Sequence, residues 1–184
     1  HLAIMYGKYE QLRKLKSFNH YFIGEEEVPY KLQPGNFNFE LTYSLAGIPE
    51  YLELLHDNHF EKDNTLNSEQ KHQKSFDLIA KHEEELAARL LGYLASKKDI
   101  RIIGEQVADK DKRVPTISFV HDKLKSDFIV RKVDKFNIGI RFGDFYAKKI
   151  IEDLGLVPKE GVVRVSLVHY NTLEEINQLI QAFE

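Results

Sequence analysis

In the second half of the chain the apolar and polar positions fall into the helical and the extended period by turns, and most stretches open or close on a recognisable signal. Asn67 with Gln70 three positions later is a helix-start pair, and Phe76, Ile79, Leu86, Leu90 and Leu94 share one side of a helix predicted to reach about Lys97. Arg101–Ile103 and Thr116–Val120 read as strands, separated by a charged hairpin-like loop, ADKDKR. Ser126–Phe136 reads as a helix with Ile129, Val133 and Phe136 in register. Asn137–Phe142 and Val162–Val168 alternate with period two. Between them Asp144 is a candidate N-cap for a helix with Tyr146, Ile150 and Leu154 on one stripe, stopped by Gly155. The last helix opens on a capping box, Thr172 with Glu175, and carries Leu173, Ile176, Ile180 and Phe183. The order helix, strand, strand, helix, strand, helix, strand, helix predicts an α+β fold: a small, largely antiparallel sheet covered by helices on one face.

The first segment, residues 1–55, is irregular. Leu2-Ala3-Ile4-Met5-Tyr6 before Gly7 reads as a strand, and Pro34-Gly35-Asn36 as a turn. Leu41, Leu45, Ile48, Leu52 and Leu55 predict a helix bent near Gly47 and Pro49. This segment has too few apolar residues to fold alone and reads as part of a larger body. Residues 56–66, rich in Asp, Asn and Lys, read as a linker, leaving 67–184 as a second domain.

Composition narrows the function classes. The 184 residues contain no Cys, which removes disulfides, thiolate zinc sites and a cysteine nucleophile. With 26 Lys and Arg against 29 Asp and Glu, no basic stripe offers a nucleic-acid footprint. No apolar run approaches the roughly 20 residues of a membrane span, and no signal peptide opens the chain. The first residue is His1 rather than Met, which reads as processing or as a portion of something larger.

Strand alternation supplies the candidate chemistry. Val163, Val165 and Leu167 share one face, which leaves Arg164 and Ser166 on the other; Ile138, Ile140 and Phe142 likewise leave Arg141 opposite. Two arginines on the less apolar side of one sheet are suited to forked capture of a carboxylate or phosphate, although on pattern alone solvated or ion-paired roles are the plainer reading. His56 and His59 lack a third ligand at a zinc spacing, and His72 and His82 fall on the polar side of the long helix. Neither G-x-x-x-x-G-K-[ST] nor G-x-G-x-x-G is present.

The C-terminal run Val163-Arg164-Val165-Ser166, Tyr170-Asn171-Thr172, Glu174-Glu175 resembles the V-R-x-S…Y-N-T-x-E-E signature of class V aminotransferases, fold-type I pyridoxal-phosphate enzymes, in their cysteine-desulfurase-like branch. Leu2–Lys8 resembles the family's G-x-L-Y-G-K segment, Gln33–Asn38 its E-x-G-T-x-N turn, and Arg141–Ala147 its R-x-G-x-x-C-A segment. The resemblance implies that the chain is the C-terminal portion of a cytoplasmic, homodimeric enzyme. It would hold the tail of the large cofactor-binding domain (1–55) and the complete small domain (67–184). It further implies that Arg164 grips the substrate carboxylate and that Arg141 stands near the site mouth. Gly35 and Asn36 would meet the cofactor phosphate of the neighbouring subunit, with Asn36 where the family has Thr. The desulfurase cysteine aligns with Tyr146, so persulfide chemistry is not expected; a lyase, epimerase or transaminase reaction on a small amino acid is. No lysine here matches the one that forms the Schiff base with the cofactor, so no catalytic residue is assigned, no metal is expected, and the chain alone is expected to be inactive. The competing reading is a stand-alone α+β ligand-binding or regulatory module in which Arg141 and Arg164 hold a carboxylate.

Overall fold

A computed structural model describes residues 2–33 and 35–184. They form two compact units, residues 1–72 and 73–184.

The first unit contains α1 (Tyr9–Leu12), α2 (Phe39–Ser44), α3 (Gly47–His59) and the opening of α4 (Ser68–Ser96). Asn38 caps α2 through its side chain, which accepts from the Leu41 N–H at 2.7 Å. The bend expected near Gly47 is a break between α2 and α3, and Pro49 sits in the first turn of α3, where its missing N–H costs nothing. The helix then runs on through His56 to His59. Leu2–Tyr6 is not a strand: it pairs with no described residue and leaves Ile4, Met5 and Tyr6 exposed, so its apolar run has no ladder to join. The centre of the loop between α1 and α2 is Lys31, fully buried, whose Nζ donates to the carbonyls of Arg13 (2.9 Å) and Leu15 (2.7 Å).

The second unit is α+β, as expected. Its four strands, β1 (Ile100–Ile103), β2 (Thr116–His121), β3 (Arg141–Gly143) and β4 (Val162–Ser166), lie in the order β1-β2-β4-β3, every pair antiparallel. On one face, Ile102, Ile117, Phe119, Val163 and Val165 pack against α4, α5 (Ser126–Asp134) and α7 (Leu173–Phe183) through Leu86, Leu90, Leu94, Ile129, Val133, Ile176 and Ile180. The other face is not bare. Val120 and Val162 meet Ile151 and Leu156 from α6 (Lys148–Asp153) and the turn after it.

Asn67 and Gln70 cap α4 reciprocally at 3.0 and 2.9 Å. The buried stripe of α4 is Leu86, Ala87, Leu90, Leu91 and Leu94, while Phe76 is exposed. The expected strand over 137–142 is shorter, because Asn137 adopts φ 57° and turns the chain before β3 begins. α5 ends at Asp134, which leaves Phe136 exposed. Asp144 caps a turn rather than α6: its Oδ1 accepts from the Tyr146 N–H at 3.0 Å, and Phe145 and Tyr146 both take positive φ. Helix phase therefore starts late, and Ile151 is buried in place of the predicted Tyr146, Ile150 and Leu154. Gly155, at φ 68°, closes α6 with the Leu156 N–H on the Ile151 carbonyl (2.9 Å) and its own N–H on Glu152 (3.0 Å), the paired bonds of a Schellman stop.

The capping box of α7 is complete, and Asn171 extends it: its Oδ1 accepts from the Val168 N–H (2.9 Å) while its Nδ2 donates to Glu175 (3.0 Å). His82 joins this knot by donating to the Asn171 carbonyl at 2.9 Å, so it is not a free surface histidine. The Asn171 amide, followed by the Thr172 backbone N–H, holds the Glu175 carboxyl below its usual range. A lowered folded value contributes stability at pH above about 4.5, lost as pH falls through the folded value. Thr172→Ala should cost about 1 kcal/mol. Glu175→Gln should flatten the acid limb of stability against pH, read by denaturant midpoints from pH 3 to 6.

No described helix is long and apolar enough to cross a membrane.

Candidate active-site arginine pair

Register decides which side chains meet on the second face of the sheet. In the β3–β4 ladder Arg141 is the direct partner of Arg164, and in the β2–β4 ladder Ser118 is the partner of Arg164. Directly opposed residues project to the same side, so Ser118, Arg164 and Arg141 form one row. Thr116 and Ser166 pair one step along it, and Arg101, opposite Val120, lies on the same face of β1. The strands thus give this face three arginines and three hydroxyls, and no carboxylate.

Arg164 is held in a particular way. Its guanidinium carbon lies 3.8 Å from the centroid of the Phe145 ring, a cation–π stack. Its Nε is buried with no hydrogen-bond partner, and no described carboxylate lies within ion-pair distance of it. Phe145 is itself anchored: it packs against Val120, Ile151, Leu156 and Val162, and its φ of 52° aims the ring back over the sheet. Arg141 is exposed and likewise unpaired among the described residues.

Of the residues singled out by sequence, Arg141 and Arg164 are brought together. Gly35 and Asn36 lie in the first unit, both exposed; a Cβ at Gly35 would meet nothing within 4 Å, and Pro34 of the same turn lies outside the described residues. Tyr146 is fully exposed on the turn beside Phe145. His59 bonds the Leu55 carbonyl through Nδ1 (2.9 Å), while His56 is buried, stacked on Phe60 and bonded to Asp57 at 2.9 Å. Phe145 was not found by sequence reasoning, because it belongs to neither period: only the two successive left-handed residues place its ring.

The domain is thus a helix-backed antiparallel sheet whose second face carries a stacked arginine with no ion-pair partner among the described residues, a side chain chemically suited to an anion. Residues 68–179 match the model of the class-V aminotransferase family, and the chain belongs to that family. Among curated relatives, the aminotransferase-like protein FGM3 of Gibberella zeae is 34% identical over 185 residues, covering 100% of this chain and 42% of that protein. The cysteine desulfurase-like protein ustD of Aspergillus flavus is 32% identical over 181 residues, covering 96% of this chain and 37% of that protein. The chain therefore spans well under half the length of these relatives. Among solved structures, the Escherichia coli cysteine desulfurase CsdA superposes with TM-score 0.60 at 20% identity, over 84% of this chain and 32% of that one. A cysteine desulfurase from Thermococcus onnurineus superposes with TM-score 0.53 over 62% of this chain.

The pyridoxal phosphate implied by the family can be tested against the residues present. The buried, partnerless Nε of Arg164 fits the substrate end of such a site, where an amino-acid carboxylate must be held. Lys31, the fully buried lysine among the described residues, spends its Nζ on backbone carbonyls and is not available to an aldehyde.

Proposed function

We propose that the chain supplies substrate-carboxylate recognition to a pyridoxal-phosphate enzyme that acts on a small amino acid by lyase, epimerase or transaminase chemistry. The observation that carries this reading is Arg164, stacked under Phe145 at 3.8 Å with its Nε buried and unpartnered. Bound pyridoxal phosphate supplies an electron sink for bonds broken at the substrate Cα. Arg164 binds the carboxylate through its fork of N–H donors and so fixes which Cα bond faces the cofactor. The Phe145 ring fixes the guanidinium plane and keeps water from one side of it. The exposed turn at Gly35 and Asn36 offers backbone and amide N–H groups to the cofactor phosphate of a second subunit. Tyr146, at the position of the desulfurase cysteine, offers a phenol in place of a thiol, so this reading excludes persulfide formation at that residue.

In this reading residues 1–55 are the tail of the large domain, 56–66 a linker and 67–184 the small domain of a cytoplasmic homodimer. Tyr6, Phe18, Tyr21 and Tyr43, each more than 75% exposed in the first unit, support it, since they offer apolar surface to the rest of the large domain.

The test uses the full-length protein loaded with cofactor and propionate, a carboxylate that cannot react. Arg164→Ala should weaken propionate binding about tenfold to a hundredfold, the worth of a charge-assisted forked contact. Arg164→Lys should recover part of it. Unchanged affinity in Arg164→Ala would remove the reading.

A further inference from the structure

We infer that a cavity within the helix layer, between the last turn of α4 and the helix α5, binds an aromatic carboxylate. The ring of that ligand lies over Phe119 and Ile129, and its charge faces Lys98 and Lys132. The inference is independent of the reading of Arg164.

The cavity follows from where the helices stop. α4 ends at Ser96, α7 ends at Phe183 and α5 begins at Ser126, and they meet the last residues of β2 around a space of about 630 Å³. Small-molecule sites occupy roughly 300–1,000 Å³. The floor is Phe119 and Ile129, both almost fully buried in the core under the helices. Phe119 follows Ser118, the ladder partner of Arg164, so the cavity lies on the opposite side of the sheet from that arginine.

Aromatic rings wall the space. Tyr93 and Phe183 are nearly parallel with centroids 6.1 Å apart, and Phe183 stands at 87° to Phe119 at 5.6 Å. Such a group offers both a face and an edge to a further ring. Phe128 also lines the cavity, yet it is 55% exposed.

Charge decides the other end of the ligand. Two acids line the cavity, and both are committed: Glu184 to Lys97 at 3.4 Å, Asp99 to Lys123 at 3.6 Å. Lys132 donates to the Phe183 carbonyl at 2.8 Å, a neutral acceptor, and neither it nor Lys98 has an ion pair among the described residues. Two positive charges therefore stand beside an apolar floor with no carboxylate to match them. His121 adds a donor, because its Nδ1 accepts from the Lys123 and Leu124 N–H groups at 3.1 and 3.4 Å, which places the ring proton on Nε2. A cation would meet only acids that are already paired; an anion with an apolar body matches both ends.

The probe is 2-naphthoate, titrated by calorimetry into the full-length, cofactor-loaded protein. It should saturate, and bind at least about tenfold more tightly than 2-naphthylmethylamine, which carries the opposite charge on the same ring system. It should also bind about threefold or more tightly than octanoate, which has the charge without the ring. Lys98→Ala combined with Lys132→Gln should weaken naphthoate about threefold to tenfold, the worth of two partly exposed charge contacts. Phe128→Ala, at an exposed position that does not put folding at risk, should weaken it by a similar factor. Arg164→Ala should leave it within about twofold. No saturable binding, equal affinity for the amine or for octanoate, or a loss in Arg164→Ala with the cavity variants silent would each overturn the inference.

Discussion

Gly161→Ala should destabilise the unit of residues 73–184 by about 3 kcal/mol or more, the scale of overpacking added to backbone strain. Gly161 has φ 82°, and a Cβ there would lie 2.9 Å from the Gly143 Cα and closer still to the carbonyl carbon and oxygen of the same residue. These are backbone atoms of β3, so relief requires the strand to move off β4. Movement in the other direction is blocked as well, because the buried Ser126 hydroxyl donates to the Gly161 carbonyl at 3.0 Å. The pairs at stake are Gly143 with Val162 and, two residues along the ladder, Arg141 with Arg164. The substitution should therefore damage the arginine row together with the fold. Gly155→Ala is the control: φ is 68° there, but nothing lies within 4 Å of the added Cβ. It should cost only about 1–2 kcal/mol, the penalty of the left-handed region alone. Hydrogen exchange over residues 141–166 of the full-length protein distinguishes the two. Equal effects would mean that close approach at Gly161 is unimportant.

The arginine face was legible in the sequence because it depends only on alternation. Val163 and Val165 inward require Arg164 outward, and no later packing can alter that parity. Long elements with closed signals were legible for a related reason. The Asn67–Gln70 and Thr172–Glu175 pairs satisfy their own helix-start N–H groups whatever the surroundings. What failed was whatever depends on a partner or on φ. Leu2–Tyr6 has strand composition but no ladder partner among the described residues. Positive φ at Phe145 and Tyr146 delays α6, shifts its buried stripe to Ile151 and swings the Phe145 ring over Arg164. None of these residues is glycine, so the chain gave no local warning of the left-handed turn. The register that sets Arg141 against Arg164 was also out of reach, since alternation gives a face but not the neighbour across the ladder.

Lys31→Met should open the loop between α1 and α2 while leaving residues 73–184 intact. Lys31 follows a charged stretch, Glu25-Glu26-Glu27, yet its side chain is fully buried. Its ammonium is satisfied by the Arg13 and Leu15 carbonyls, with the Glu25 carboxylate 3.8 Å away. Its backbone belongs to the same knot, for the Lys31 carbonyl accepts from the Phe18 N–H at 3.0 Å and from the Ser17 hydroxyl at 3.2 Å. Methionine keeps the unbranched shape and removes the three donors, so the two charge-assisted bonds to the carbonyls of Arg13 and Leu15 are lost, at about 1.5–3 kcal/mol each. Amide exchange across residues 13–33 of the full-length protein should accelerate by roughly 30-fold or more, the factor that about 2 kcal/mol sets. The consequence for function is positional. Asn19 donates to the Tyr30 and Gln33 carbonyls at 2.8 and 2.7 Å, so the chain entering the Gly35–Asn36 turn is tied to the loop that Lys31 closes. Cofactor affinity should fall with loop protection if that turn meets the phosphate. Exchange over residues 13–33 matching the parent protein would show that the carbonyls find other donors and that Lys31 does not order the turn.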